Sequence, residues 1–324
     1  MNKPDILGQQ LQALNQLRSN MAAPETRSQL IKALQDSSNR IIERAGELIA
    51  ETEDGSFAPD LIKAYRRLKR NPLKKDPGCL AKTAIMKALV QIEYSDPDLF
   101  RDGIATQQLE PHWQGERDSA AELRGISAIG MIHFVPTLEV LNHCAMLLVD
   151  PWPEARLGAA QALGALRQPE AGPLLRMKLK LADAQAEVHG ECCSAFLKIE
   201  QATGLDFLKQ FLSSDDADVC VQTALALGEA NLPGTFDLLR DTWGHRVELG
   251  VRESLLLCIG LLRSSDSQDF LLSLIHARDL RTAADAVKAL RLNGEVEGIR
   301  QRTEAAVEAT GSNELQRLFQ TEWR

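Results

Sequence analysis

The stretch from Asp150 to Leu166 reads DPWPEARLGAAQALGAL, and altered copies of it recur along most of the 324-residue chain. Setting Leu163 against its counterparts gives Leu89, Ile129, Leu163, Phe196, Leu227, Ile259 and Leu290, at spacings of 40, 34, 33, 31, 32 and 31 residues. A period of that length is the mark of stacked helical repeats. Four residues before each anchor stands a small or apolar residue (Ile85, Gly125, Ala159, Cys192, Thr223, Leu255, Ala286), and one residue before it a small one (Ala88, Ala128, Ala162, Ala195, Ala226, Cys258, Ala289). Small side chains at these offsets let helix backbones approach closely. Upstream, Asp76, Asp150, Asp183 and Ser214 beside Asp215 read as N-caps, because a side-chain oxygen there satisfies amides that the first helical turn leaves orphaned.

A second amphipathic helix precedes each of these: Phe134 to Val149, Gly172 to Leu181, Gly204 to Leu212, Gly234 to Arg240 and Asp266 to Ile275. Pro169, Pro173 and Pro233 lie at or near their starts, where a missing N–H is tolerated. The unit is therefore helix, turn, helix. Aromatic residues make up only 5% of the chain, and no alternating Val/Ile/Thr run is present, so nothing predicts a sheet. The copy DPWPEARLGAAQALGAL, with its echoes SSDDADVCVQTALALGEA and DAQAEVHGECCSAFLKI, resembles HEAT repeats, in particular the short bacterial kind first described in phycobilisome lyases. The resemblance spans about residues 76 to 310. It implies an all-α fold, a right-handed α-α superhelix of about seven helix pairs whose second helices line a concave groove. It also implies a charged ladder at Arg156, matched in type by Lys82 and Arg252 and broken by Glu122, His189, Cys220 and Ala283.

Residues 1 to 75 follow the repeat poorly. Helices are predicted there at Ile6 to Arg18, Glu25 to Gln35, Arg40 to Ala50 and Pro59 to Lys69, forming an irregular N-terminal cap, since an end repeat must present a polar outer face. Residues 311 to 324 read as a closing helix. MNKPDILGQQ lacks the apolar core of a signal peptide, and the longest apolar run, Leu255 to Leu262, is too short to span a bilayer. Six cysteines suit a reducing, cytoplasmic compartment, and several fall at small, buried repeat positions. His189, Cys192 and Cys193 share a helical face, but no fourth ligand is evident, and neither a metal nor another cofactor is expected.

No phosphate loop, nucleophile elbow or HExxH motif occurs, so no catalytic residue is assigned. The charge pattern points outward instead. Formal charge is −8, yet Lys63 to Asp76 carries +6 and Asp183 to Asp241 carries −8. The basic helix (Lys63, Arg66, Arg67, Lys69, Arg70) reads either as a solvated face or as a dock for an acidic partner, with Leu61, Tyr65 and Leu68 on its buried side. The residues two before each anchor (Lys87, Ser127, Gln161, Ser194, Leu225, Leu257, Lys288) are expected to face a groove, with Leu225 and Leu257 as its apolar centre. Trp152, and Trp113 in the loop that lengthens one repeat, are candidate anchors for a partner. Three functions fit: a non-catalytic scaffold for a protein or peptide; a phycobilin lyase-like chaperone of chromophore and protein; and nucleic-acid binding of the kind seen in HEAT-like DNA glycosylases. The acidic section opposes the last.

Overall fold

The computed structural model describes residues 6–21, 23–113 and 115–323. The chain divides into two compact units, Met1–Leu166 and Arg167–Arg324.

The first unit holds α1 (Ile6–Gln16), α2 (Pro24–Leu34), α3 (Asn39–Ala50), α4 (Ala58–Lys69), the single turn α5 (Pro72–Lys75), α6 (Leu80–Gln91), α7 (Pro97–Ile104), β1 (Leu109–His112), β2 (Gly115–Asp118), α8 (Ala121–Gly130), α9 (Thr137–Leu147) and α10 (Pro153–Leu166). Outer helices α2, α4, α7 and α9 pack on inner helices α3, α6, α8 and α10, and the inner helices pack on one another in that order. Glycine makes this layering possible. A Cβ built on Gly158 of α10 would lie 2.3 Å from the Gly125 Cα of α8, so neither position tolerates a side chain without moving a backbone. Because α3 lies along α6 in the same way, helix pairing begins upstream of Asp76, within the segment read as an irregular cap.

The second unit holds α11 (Gly172–Leu181), α12 (Ala186–Leu208), α13 (Ala217–Ala230), α14 (Thr235–His245), α15 (Leu249–Leu261), α16 (Ser265–Ile275), α17 (Leu280–Arg291), α18 (Ile299–Ala309) and α19 (Asn313–Glu322). Inner helices α12, α13, α15, α17 and α19 pack in series. The backbone of α12 breaks at Gln201 (φ 38°), and its far portion, continued by a 3-10 turn at Lys209–Ser213, supplies the outer element before α13. Both units are all-α and built of successive helix pairs, as in an α-α solenoid. Among the described residues, no helix is long and apolar enough to cross a membrane.

Two expectations change. A sheet is present after all: β1 and β2 form an antiparallel hairpin in which His112 pairs with Gly115, whose φ of 123° suits glycine alone. The caps also shift. Asp216, rather than Ser214 or Asp215, accepts from the Asp218 and Val219 amides at the start of α13, and Asp279 plays that part for α17. Asp76 does serve α6, taking the Ala81 and Lys82 amides at 2.9 and 3.0 Å.

Candidate partner-binding surfaces

The charged ladder ties inner helices to neighbouring loops. Arg156 donates to the carbonyls of Asp150 (2.8 Å) and Pro151 (2.9 Å). Arg252 donates to those of Trp243 (2.8 Å) and Arg246 (3.1 Å) and stacks over the Trp243 ring at 4.0 Å. Lys82, fully buried, bonds the Gln108 side chain. In α8 the rung is Arg124, not Glu122. Its guanidinium bonds the Thr106 carbonyl (3.1 Å) and pairs with Asp118 (2.6 Å) and Asp150 (2.9 Å), while Glu122 is exposed and pairs with Lys87 at 2.7 Å.

The repeat therefore runs two residues later in α8 than the spacing suggested, with the fully buried Met131 in the anchor place and Ile129 only half-buried. This corrects one candidate groove residue. Ser127 is fully buried, its Oγ donating to the Leu123 carbonyl at 2.7 Å, and Ile129 takes its position in the row. The other members lie as follows. In the first unit Lys87 and Gln161 are exposed. In the second, Ser194, Leu225 and Lys288 are half-buried and Leu257 is 36% exposed. Close packing joins the two leucine-bearing helices, since a Cβ on Gly228 of α13 would stand 2.8 Å from the Cys258 carbonyl oxygen of α15. Beside them Lys288 bonds Glu253 (2.9 Å) and reaches Asp285 (3.4 Å). The Glu253 bond holds the Lys288 ammonium above its usual range. Burial, with Glu253 nearby, pushes the Asp285 carboxyl up.

Trp113 stands at the hairpin tip, 81% exposed. Under the hairpin lies a cleft of about 350 Å³, walled by Glu110, His112, Arg117, Asp118, Glu122 and Glu154 with the turn at Gly78. A buried polar network holds the hairpin rigid. Asp118 accepts from the amides of Gln108 (2.8 Å) and Ala120 (3.0 Å) as well as from Arg124. Glu110 accepts from the Gly78 amide (2.8 Å) and Ser119 Oγ (2.8 Å), and Gln108 donates to Glu110 and to the Asp76 carbonyl. Burial would raise both carboxyls, but these donors outweigh it and hold Asp118 and Glu110 below the usual carboxylate range. Glu154 is less complete. Its Oε1 accepts from Arg117, while its Oε2 is shut from water without a partner. None of this network was legible beforehand; its only sequence signal was the 40-residue spacing that marks the insertion.

The basic helix α4 buries Leu61, Tyr65 and Leu68 as expected, but its cations divide. Arg67 donates to the carbonyls of Leu34 (2.7 Å), Gln35 (2.8 Å) and Asp36 (3.0 Å) at the end of α2, and Lys69 pairs with Asp102 of α7. Lys63, Arg66 and Arg70 remain exposed. Trp152 is half-buried beside the start of α10, its amide donating to Asp150.

All six cysteines are buried, and none forms a disulfide. Burial pushes the Cys79 thiol up to about 11 and those of Cys144 and Cys258 up to about 12, which keeps them protonated and inert at neutral pH. His189, its basicity lowered by burial, lies 2.9 Å from Thr223 Oγ1 and 3.4 Å from Cys193 Sγ, an interhelical polar contact.

No protein-family model matches the chain, and no curated protein sequence does. Among solved structures, human deoxyhypusine hydroxylase in complex with glycerol aligns at 17% identity over 81% of this chain and 92% of that one, with a TM-score of 0.31. The complex of CpcE and CpcF of phycocyanin lyase from Nostoc sp. PCC7120 aligns at 16% over 82% and 94%, with a TM-score of 0.34. An engineered protein aligns at 15% over 87% and 96%, with a TM-score of 0.26. The packing of its own helices makes this chain an all-α protein of helical-repeat type.

Proposed function

We propose that the chain is a HEAT-type repeat protein of the short bacterial kind, and that it works as a cytoplasmic, non-catalytic scaffold for a partner protein. The observation that carries this reading is the pair Leu225 and Leu257 on adjoining inner helices, left partly open to water where the repeat places its anchors and small residues inside. Apolar side chains kept at the surface of a tightly packed layer lose free energy that a partner's apolar surface restores. Flanking Glu253 and Lys288 would set the partner's orientation at the rim, where charge contributes specificity more than affinity.

The test is affinity capture with mass spectrometry, using the full chain and its Leu225→Asp/Leu257→Asp variant. A partner held by the parent should be lost from the variant while its circular dichroism spectrum and cooperative melt show the chain still folded at the capture temperature. Equal capture by both removes this surface from the reading. The exposed cations Lys63, Arg66 and Arg70 of α4 offer a second contact, to an acidic patch on the same partner.

A further inference from the structure

The hairpin interrupts the repeat and is anchored by buried charge, an expensive arrangement that packing alone does not require. Its cleft has a defined electrostatic character. Lys87 offsets Glu122, and Arg124 offsets Asp118. That leaves Glu110 and Glu154 against the single guanidinium of Arg117 on the walls. Glu110 is held ionised by its donors, and Glu154 keeps one oxygen buried and unbonded. A carboxylate oxygen shut from water without a donor costs free energy that an incoming donor recovers. At about 350 Å³ the cleft is at the small end of ligand-site sizes, suited to one side chain rather than to a large cofactor. Next in the chain to the wall residue His112 stands Trp113, almost fully exposed, and a tryptophan face is the strongest aromatic partner for a cation.

We propose that this cleft receives an arginine side chain from a surface segment of a partner protein, its guanidinium donating to the Glu110 and Glu154 carboxylates on the walls, with Glu154 turning its shielded Oε2 toward the cleft as the arginine enters, and Trp113 covering its stem. The inference rests on the reading that the chain binds a protein, but it concerns a different surface from Leu225 and Leu257. Arginine suits the place because it carries donors only, stays charged, and stacks on aromatic rings.

Short random peptides displayed on phage, selected on the full-length chain, provide the test. Recovered peptides should share an arginine, and fluorescence polarisation should show affinity falling at least about tenfold when that arginine becomes citrulline, or when the chain carries Glu154→Gln or Trp113→Ala. Trp113→Ala removes a solvent-exposed side chain, so its result does not depend on refolding. The Leu225→Asp/Leu257→Asp variant should bind these peptides as the parent does, which separates failure here from failure of the scaffold reading. Selection that yields no peptide, peptides without a basic residue, or affinities indifferent to both cleft variants would overturn the proposal.

Discussion

Ser127 sits where α8 meets α7, close enough that a Cβ on Gly103 would fall 2.1 Å from its Oγ. No room exists for a larger group, so Ser127→Leu should cost about 1–3 kcal/mol by overfilling the layer. Half-exposed Ile129 should tolerate Ser with a loss under about 1 kcal/mol. Denaturant melts of the two variants decide the repeat phase; a larger loss at Ile129 would restore it as the anchor. Asp285 offers a second residue-level test. Its carboxyl is pushed up in the folded chain, so the folded state pays for ionising it at any pH above that raised value, and the cost is absent below the unfolded value of about 4. Asp285→Asn should therefore raise the melting temperature at pH 7 by more than it does near pH 4. The opposite ordering would mean that the Lys288 bond outweighs burial.

At the scale of the element, Arg67 of α4 closes the C-terminal end of α2 by filling three carbonyls that a helix end leaves without partners. Its replacement by Ala should cost about 2 kcal/mol, whereas Arg66→Ala, on the exposed face of α4, should stay within about 0.5 kcal/mol. Urea titrations of the pair separate a structural arginine from a free one. The hairpin depends on Asp118 and Glu110, both held below the usual carboxylate range. Groups with lowered folded values stabilise fully above the unfolded value of about 4, and that support is lost as pH falls through the folded values. Protection of the β1 and β2 amides from hydrogen exchange, relative to their intrinsic rates at each pH, should fall below about pH 4, and Asp118→Asn should remove much of that acid response by removing one of the two carboxylates. Unchanged protection down to about pH 2 would show that the hairpin stands without these carboxylates.

Over the whole molecule, charge is distributed rather than merely negative. The formal charge of −8 combines +6 between Lys63 and Asp76 with −8 between Asp183 and Asp241. Part of the basic run is used internally, Arg67 on the α2 carbonyls, Lys69 on Asp102 and Lys75 on the Arg67 carbonyl, so the outward-facing set shrinks to Lys63, Arg66 and Arg70 of α4 with Lys74 beyond it. If these meet an acidic patch, partner affinity should fall as salt rises, since exposed charges are screened over about 8 Å at physiological ionic strength. Lys63→Glu/Arg66→Glu/Arg70→Glu should mimic that fall at low salt with the melt unaffected, and an affinity that ignores both would leave α4 as a solvated face.

The sequence by itself determined the predominantly helical character, the helix pairs and the buried face of helices such as α4 and α10. Those follow from information within one or two turns: an apolar stripe at helical spacing, small residues where backbones meet, prolines at first turns. The predicted Arg40 to Ala50 and Pro59 to Lys69 helices match α3 and α4 to within a residue. Only tertiary structure decided the phase of α8, because Gly125 with Ala128 and Ser127 with Gly130 offer equally small side chains at the same offsets, and it is the reach of Arg124 to Asp118 and Asp150 that selects between them. The same holds for the hairpin, for the conversion of Arg67 into a helix cap, and for the unbonded oxygen of Glu154. Each depends on groups up to some 37 positions apart in the chain being brought within bonding distance, and local periodicity contains nothing about which distant donor will meet which acceptor.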